Sequence, residues 1–246
     1  MRTSEIKTTA KHLIANTKGS YALYAVSIML LYASLLPNFA PSKTSITFNI
    51  MSLLISILTL LFTLSANFTM LLVTRQQKQT VQFWDNQLAF SKIYIWRLIR
   101  IHILKGIFLA LLLGISFLGV SIIYLGKYLL TIDTISYYPI GFILLGSVIS
   151  LWGFATVIRY YFAYRMSAYI AFDMINRDSD HYPSTLTIIK KSITLMKGYK
   201  WKLFLLDLSF IVWYLIVLMT FGLAYIYLFP YINVSEIIFY EKLDSH

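Results

Sequence analysis

Apolar residues in this chain gather into long runs separated by short polar stretches. Six runs stand out, at 20–37, 48–73, 101–125, 140–158, 203–219 and 221–240. Each approaches the roughly 20 residues that a helix needs to cross ~30 Å of hydrocarbon. Away from their ends they contain three formal charges, Lys105, Asp207 and Glu236. The apolar stretch from Leu203 to Val234 is too long for one crossing, and Thr220-Phe221-Gly222 supplies a tight turn that makes the last two runs a hairpin. Five spans, with the C-terminus on the opposite side, are the alternative. Pro37 and Pro41 bracket a short connection, and Pro230 predicts a kink in the final helix.

Between the runs the periodicity changes to that of surface helices. Ile6, Ala10, Leu13, Ile14 and Thr17 recur at helical spacing with Lys7, Lys11 and Lys18 off the stripe, which predicts a helix in the headgroup layer. Val81, Trp84 and Leu88 predict a loop that hugs the membrane surface. A further surface helix starts after Pro183, with Leu186, Ile189, Ile193 and Met196 as its stripe and Gly198 as its stop. The fold class is therefore all-α: a polytopic membrane protein of six transmembrane helices, one integral domain over 1–246, plus short interfacial amphipathic helices.

Charge orients this arrangement. Of the 21 lysines and arginines, all but Lys43 and Lys127 fall on one side of the six-span topology. Cationic loops resist translocation, so that side is cytoplasmic and both termini lie there. The formal net charge of +11 is thus a topology signal, not a sign of nucleic-acid binding. Tyrosines and tryptophans at the span ends, among them Tyr21, Tyr24, Tyr124, Tyr128, Tyr137, Tyr138 and Trp201, form an aromatic belt. Hydrophobic residues make up 59% and charged residues 13%, which leaves no soluble domain. The first 18 residues lack a small-residue cleavage site, so the first span reads as an uncleaved anchor.

Small residues predict how two spans pack. Gly106, Ala110 and Gly114 repeat every four residues in the third span, and Gly146 and Ser150 offer a matching seam on the fourth. Such seams let helix backbones approach closely in a bilayer.

Candidate chemistry is sparse. There is no cysteine, and His12, His102, His181 and His246 lack metal-ligand spacing, so neither a metal, a cofactor nor an enzymatic activity is expected. Asn67 is placed to hydrogen-bond across helices. Asp207 is read as a near-interface ion pair, with a ligand or proton role as the alternative, and Glu236 as an interfacial charge. Arg97, Arg100, Lys190, Lys191, Lys197, Lys200 and Lys202 form a basic inner face beside aromatic residues, suited to anionic headgroups.

The segment Ser192-x-x-Leu195-Met196-Lys197-Gly198-x-Lys200-x-x-Leu203-Phe204 continues through Leu208-Ser209-Phe210-Ile211-x-Trp213, Thr220-x-Gly222, Pro230-Tyr231 and Phe239-Tyr240-x-x-Leu243. It resembles the signature of the family called domain of unknown function 975, polytopic membrane proteins mostly of Gram-positive bacteria. Weaker echoes lie at Tyr164 with Tyr169-Ile170-x-x-Asp173, at Arg75 and at Trp96-Arg97. Asp207 and Val212 depart from the pattern. The resemblance implies six helices and a plasma-membrane location, and it supplies no reaction. The functional expectation is a non-catalytic accessory or lipid-interacting component of envelope maintenance or of a membrane complex. Its partners are then the bilayer, anionic lipids or other membrane subunits, with no nucleic acid. The alternative is a small-solute transporter or channel using Asp207 and Glu236.

Overall fold

A computed structural model describes residues 2–35, 46–132, 137–177 and 182–244. Pro37, Pro41, Lys43, His181 and His246 lie outside the described residues. Among the described residues every regular element is helical. In order these are α1 (Thr3–Asn16), α2 (Ser20–Leu35), α3 (Ile46–Thr74), a 3-10 helix (Phe83–Phe90), α4 (Ile95–Ile132), α5 (Tyr138–Ala163), α6 (Ser167–Arg177), α7 (Thr185–Leu195), α8 (Lys200–Leu208), α9 (Ile211–Met219) and α10 (Tyr225–Asp244).

Among the described residues four segments are long and apolar enough to cross a membrane: Ile50–Thr74, Ile95–Ile132, Tyr138–Arg177 and Lys200–Met219. Within the described residues two of the six runs read from the sequence fall short of that measure. The first forms the apolar but shorter helix Ser20–Ser34. The last is α10, whose 20 residues include Glu236, Glu241 and Lys242 and which is buried at Leu228, Val234, Ile237, Ile238, Phe239 and Tyr240.

The chain forms two compact units. The first comprises Met1–Leu98, Ala168–Tyr182 and Trp201–His246. Its centre is the last three turns of α3, where Ser65, Ala66, Phe68, Thr69, Met70 and Leu71 are all enclosed. Phe68 stacks on Phe172 at 4.4 Å between ring centroids, an arrangement that adds to the burial itself. α2, α3 and α10 pack on one another, and α1 lies against α10. The stripe of α1 expected to face lipid is used by the protein instead: Ile6, Ala10, Ile14 and Thr17 are buried. The residues from Val81 to Phe90 also depart from expectation. Val81, Asn86 and Ala89 turn inward, while Trp84 is 70% exposed, because the tighter winding of a 3-10 helix rotates the anticipated stripe off one face.

α8 and α9 are parts of one apolar run broken at Ser209–Phe210. The Phe210 amide bonds back to the Asp207 carbonyl at 3.1 Å, one residue short of the α-helical register. Lys7 of α1 donates to the Ser209 carbonyl at 3.0 Å and lies 4.5 Å from the centre of the Phe210 ring. The turn after α9 falls at Thr220-Phe221-Gly222, with Phe221 and Gly222 both at positive φ, and Tyr32 donates to the Gly222 carbonyl.

The second unit comprises Ile99–Ser167 and Pro183–Lys200. Its frame is the antiparallel pair α4 and α5. The pairing agrees with the sequence on α5, where Gly146 and Ser150 lie in the seam, but not on α4. A Cβ at Gly119 would come within 2.5 Å of the Ser150 backbone nitrogen, whereas Gly106 and Gly114 have no atom within 4 Å of that position. The seam on α4 runs through Ser116, Gly119, Ile123 and Gly126, at alternating spacings of three and four that keep one face toward α5. At one end Ala163, Tyr164 and Ile189 form a small core covered by Leu104, Phe108 and Ile193. Ser184 caps α7 by accepting the Thr187 amide, and Ser192 ties α7 to the Ala163 carbonyl at 2.7 Å.

Candidate functional site: a polar network and a basic cavity

The first unit brings together polar groups from distant parts of the chain. Arg75, just past α3, donates to both carboxylate oxygens of Asp173 on α6, at 2.6 and 3.0 Å. Its Nε meets Glu241 of α10 at 2.9 Å, and Tyr240 donates to Asp173 at 2.6 Å. The Arg75 and Asp173 side chains are only 23% and 11% exposed. Hydrogen bonds donated to Asp173, against an opposing cost of burial, hold the Arg75 guanidinium protonated more firmly than usual. A bidentate, partly buried pair of this kind fixes the relative angle of three helices.

About two helical turns back along α3, Asn67 does the same without charge. It accepts from the Tyr24 hydroxyl at 2.8 Å and donates to Tyr169 at 3.2 Å and to Asn233 at 3.1 Å. Asn233 donates in turn to the Phe229 carbonyl. The amide group thus joins α2, α3, α6 and α10 with both N–H bonds and its oxygen in use.

The first unit also holds a cavity of about 460 Å³. The start of α1 contributes Arg2, Thr3, Ser4 and Ile6; α8 contributes Lys202 and Leu205; α10 contributes Phe239. Its lining therefore combines two cations and two hydroxyls with an apolar wall. The backbone amides of the first turn of α1 have no side-chain cap, since Arg2 occupies the capping position. Nearby, Glu5 pairs with Lys242, and that hydrogen bond pulls the Glu5 carboxyl below its usual range. Burial lowers the Lys7 amine. This arrangement can hold an anion whose attached chain leaves over Ile6, Leu205 and Phe239.

The sequence-predicted residues divide between the units. Asn67, Arg97, Lys202, Asp207 and Glu236 belong to the first, and Arg100, Lys190, Lys191, Lys197 and Lys200 to the second. Arg97 lies over the Tyr182 ring, 4.2 Å from its centre, and burial pushes the Tyr182 hydroxyl up to about 12. Lys190, Lys191 and Lys197 are exposed on and just beyond α7, and Lys200 is half-buried close enough to Arg159 to feel its charge. Asp207 is half-buried two residues before the break at Ser209, and Glu236 is half-buried on α10. Among the described residues no group of three His, Cys, Asp or Glu is placed to hold a metal.

Arg2, Asp173, Tyr240 and Glu241 escaped the sequence-level selection of a site. Arg75, Tyr169, Asp173 and Tyr240 were in view as residues that carry the resemblance, and that was the one signal able to connect them. Comparison with known proteins agrees with that signal over the whole length: the family described as "Protein of unknown function (DUF975)" matches residues 1–246. No curated protein and no solved structure matches the chain.

Proposed function

Since the chain belongs to this family, whose description names no activity, we propose from its own geometry a non-catalytic multi-pass membrane protein that binds an anionic lipid at its cytoplasmic face. The observation that carries the reading is the cavity at the start of α1, with Arg2 and Lys202 beside an apolar wall. Cations near the membrane surface attract anionic headgroups by about 1 kcal/mol each. The acidic and tyrosyl groups of the network support a structural role, because Asp173 is occupied by Arg75 and Tyr240. In this reading six spans place both termini in the cytoplasm of a Gram-positive cell, as the charge bias favours. The protein then serves envelope maintenance or a larger membrane complex.

Native mass spectrometry of protein extracted gently from its own membrane tests the proposal. An anionic phospholipid retained by the native chain and lost from the Arg2→Ala/Lys202→Ala variant is the expected result. A chain that retains none, or a variant that retains as much, overturns it.

A second reading has its own observation. The broken helix at Ser209–Phe210, beside Asp207, resembles the interrupted spans on which transporters place solute sites. Loss of solute flux in Asp207→Asn with retained folding supports that reading; unchanged flux removes it.

A further inference from the structure

Hydrogen bonds and ring contacts fix how far α9 and the start of α10 reach along α2 and α3. Asn67 donates to Asn233 at 3.1 Å and accepts from Tyr24 at 2.8 Å, so α2, α3 and α10 share one level there. Phe210 packs edge-on against Tyr231 at 5.1 Å between ring centroids, which brings the start of α9 close to the same level. From that level α3 continues back to Ile46, about 31 Å at 1.5 Å per residue and enough for ~30 Å of hydrocarbon. The hairpin does not keep pace. α9 has 9 residues, about 14 Å, and the stretch from Gly222 to Asn233 would reach about 16 Å as helix. Tyr32, two turns along α2 from Tyr24, donates to the Gly222 carbonyl at 2.5 Å, so the tip lies about 12 Å beyond the Tyr24 level. Tyr227, near the start of α10, already stacks on Tyr21 in the first turn of α2.

α8 adds nothing to this reach, because it lies on the other side of that level. Lys202 and Leu205 share a cavity with Arg2 and Phe239, and Lys7 holds the Ser209 carbonyl at the break. Between Ser209 and Asn233 the chain carries no formal charge, and α9 buries none of its residues. Trp213 meets Tyr227 and Tyr231 near the two ends of this stretch, where rings with a polar edge favour the headgroup boundary. At the tip Leu218, Met219 and Leu223 are exposed, and Phe221 is 99% exposed. The turn backbone is nonetheless closed. Every amide from Thr220 to Tyr225 donates within the hairpin, and Gly222 packs on the Tyr32 ring. Irregular backbone at membrane depth needs such internal partners.

We propose that residues 209–233 form a half-crossing hairpin, which enters the bilayer on the side of α1, turns among the acyl chains near the midplane, and leaves by the face it entered. The partner of the apolar tip is lipid acyl chain. The fifth and sixth apolar runs are then two arms of one loop and not two crossings. This leaves the orientation of both termini and the lipid cavity proposed above unchanged.

The chain contains no cysteine, so single substitutions report one position each. Phe221→Cys is compared with Lys18→Cys and Lys127→Cys, which lie on opposite faces in the topology read from charge. A membrane-impermeant maleimide should label Lys127→Cys in intact cells and Lys18→Cys in inverted vesicles. It should label Phe221→Cys in neither until detergent opens the membrane. Labelling of Phe221→Cys in intact cells means a full crossing, and labelling in inverted vesicles means a tip in water; either overturns the hairpin. Nitroxides on Val212→Cys and Phe221→Cys then read depth by collision with oxygen and with a water-soluble nickel chelate. The ratio of oxygen to nickel accessibility should be severalfold higher at Phe221. Equal ratios overturn the proposal, and so does a Phe221 nitroxide shielded from both reagents, because a protein partner would then cover the tip.

Discussion

In the first unit Arg75, Asp173, Glu241 and Tyr240, with Asn67 among Tyr24, Tyr169 and Asn233, tie together helices far apart in sequence. In the second unit α4 and α5 meet where side chains are smallest, at Gly119 against Gly146 and Ser150 and at Ser116 against Gly153. Both devices answer one problem. Lipid offers helices no hydrophobic reason to associate, so they join through polar bonds or through close backbone contact. Polar bonds specify angle and partner, and they suit a unit assembled from three separate stretches of chain. A glycine seam specifies distance, and it suits two helices that are neighbours in sequence.

Removing one charge of the network should have the largest effect. Asp173→Ala leaves the Arg75 guanidinium with Glu241 alone, and breaking a buried pair costs about 3–5 kcal/mol. Arg75→Ala should cost a comparable amount. Thermal unfolding in detergent measures the loss. Hydrogen exchange should place it in α3, α6 and α10, while the amides of α4 and α5 keep their protection. Equal loss of protection in both units would show that the two do not unfold separately.

The reverse experiment acts on the second unit. Gly119→Leu puts a side chain where a Cβ alone would approach backbone atoms at 2.5 and 2.8 Å, so α4 and α5 must separate. Overpacking of this kind costs about 1–3 kcal/mol. Gly114→Leu, with no atom within 4 Å of the added Cβ, should leave stability unchanged. If the two substitutions behave alike in hydrogen exchange, the seam has been misplaced by one face of α4.

These two tests also mark where the sequence was informative. The α5 half of the seam was legible from Gly146 and Ser150. On α4 a regular four-residue repeat of Gly106, Ala110 and Gly114 pointed to a face that lacks a partner within the unit, because small residues show which faces permit approach and not which are approached. The basic residues were legible individually, yet Arg2 counted only as a topology charge; its place beside Lys202 and Phe239 depends on α1 packing against α10. The Arg75–Asp173 pair spans 98 positions, and no local periodicity encodes such a distance. Burial of the α1 stripe was invisible for a related reason: an amphipathic helix looks the same whether lipid or protein receives its apolar face.

Asn67→Leu is a smaller perturbation of the first unit. It leaves the Tyr24 hydroxyl without its acceptor and removes a donor from Tyr169 and Asn233. Interhelical hydrogen bonds contribute about 0.6 kcal/mol each on average, so a loss of about 1–2 kcal/mol is expected. A loss as large as that of Asp173→Ala would mean that the uncharged network matters as much as the ion pair.

The smallest effect concerns α1, which opens onto the proposed lipid cavity. Glu5 is held below its usual value of 4.5 by its hydrogen bond from Lys242. A carboxyl lowered in the docked state contributes stability above 4.5 that is lost as pH falls through the lowered value. Lys7 acts at the other end of the scale: burial lowers its amine below 10.5, so the undocked helix binds a proton more readily, and docking strengthens as pH rises through that window. Protection of the α1 amides, taken relative to their intrinsic exchange rate at each pH, should therefore rise modestly from acid to neutral pH and rise again toward alkaline pH. Glu5→Gln should flatten the acid limb alone, and Lys7→Met the alkaline limb alone. An acid limb that survives Glu5→Gln, and that appears equally in α3 and α6, would mean that α1 follows the rest of the unit. The local pattern separates a helix latched by its own charges from one that follows the network beneath it.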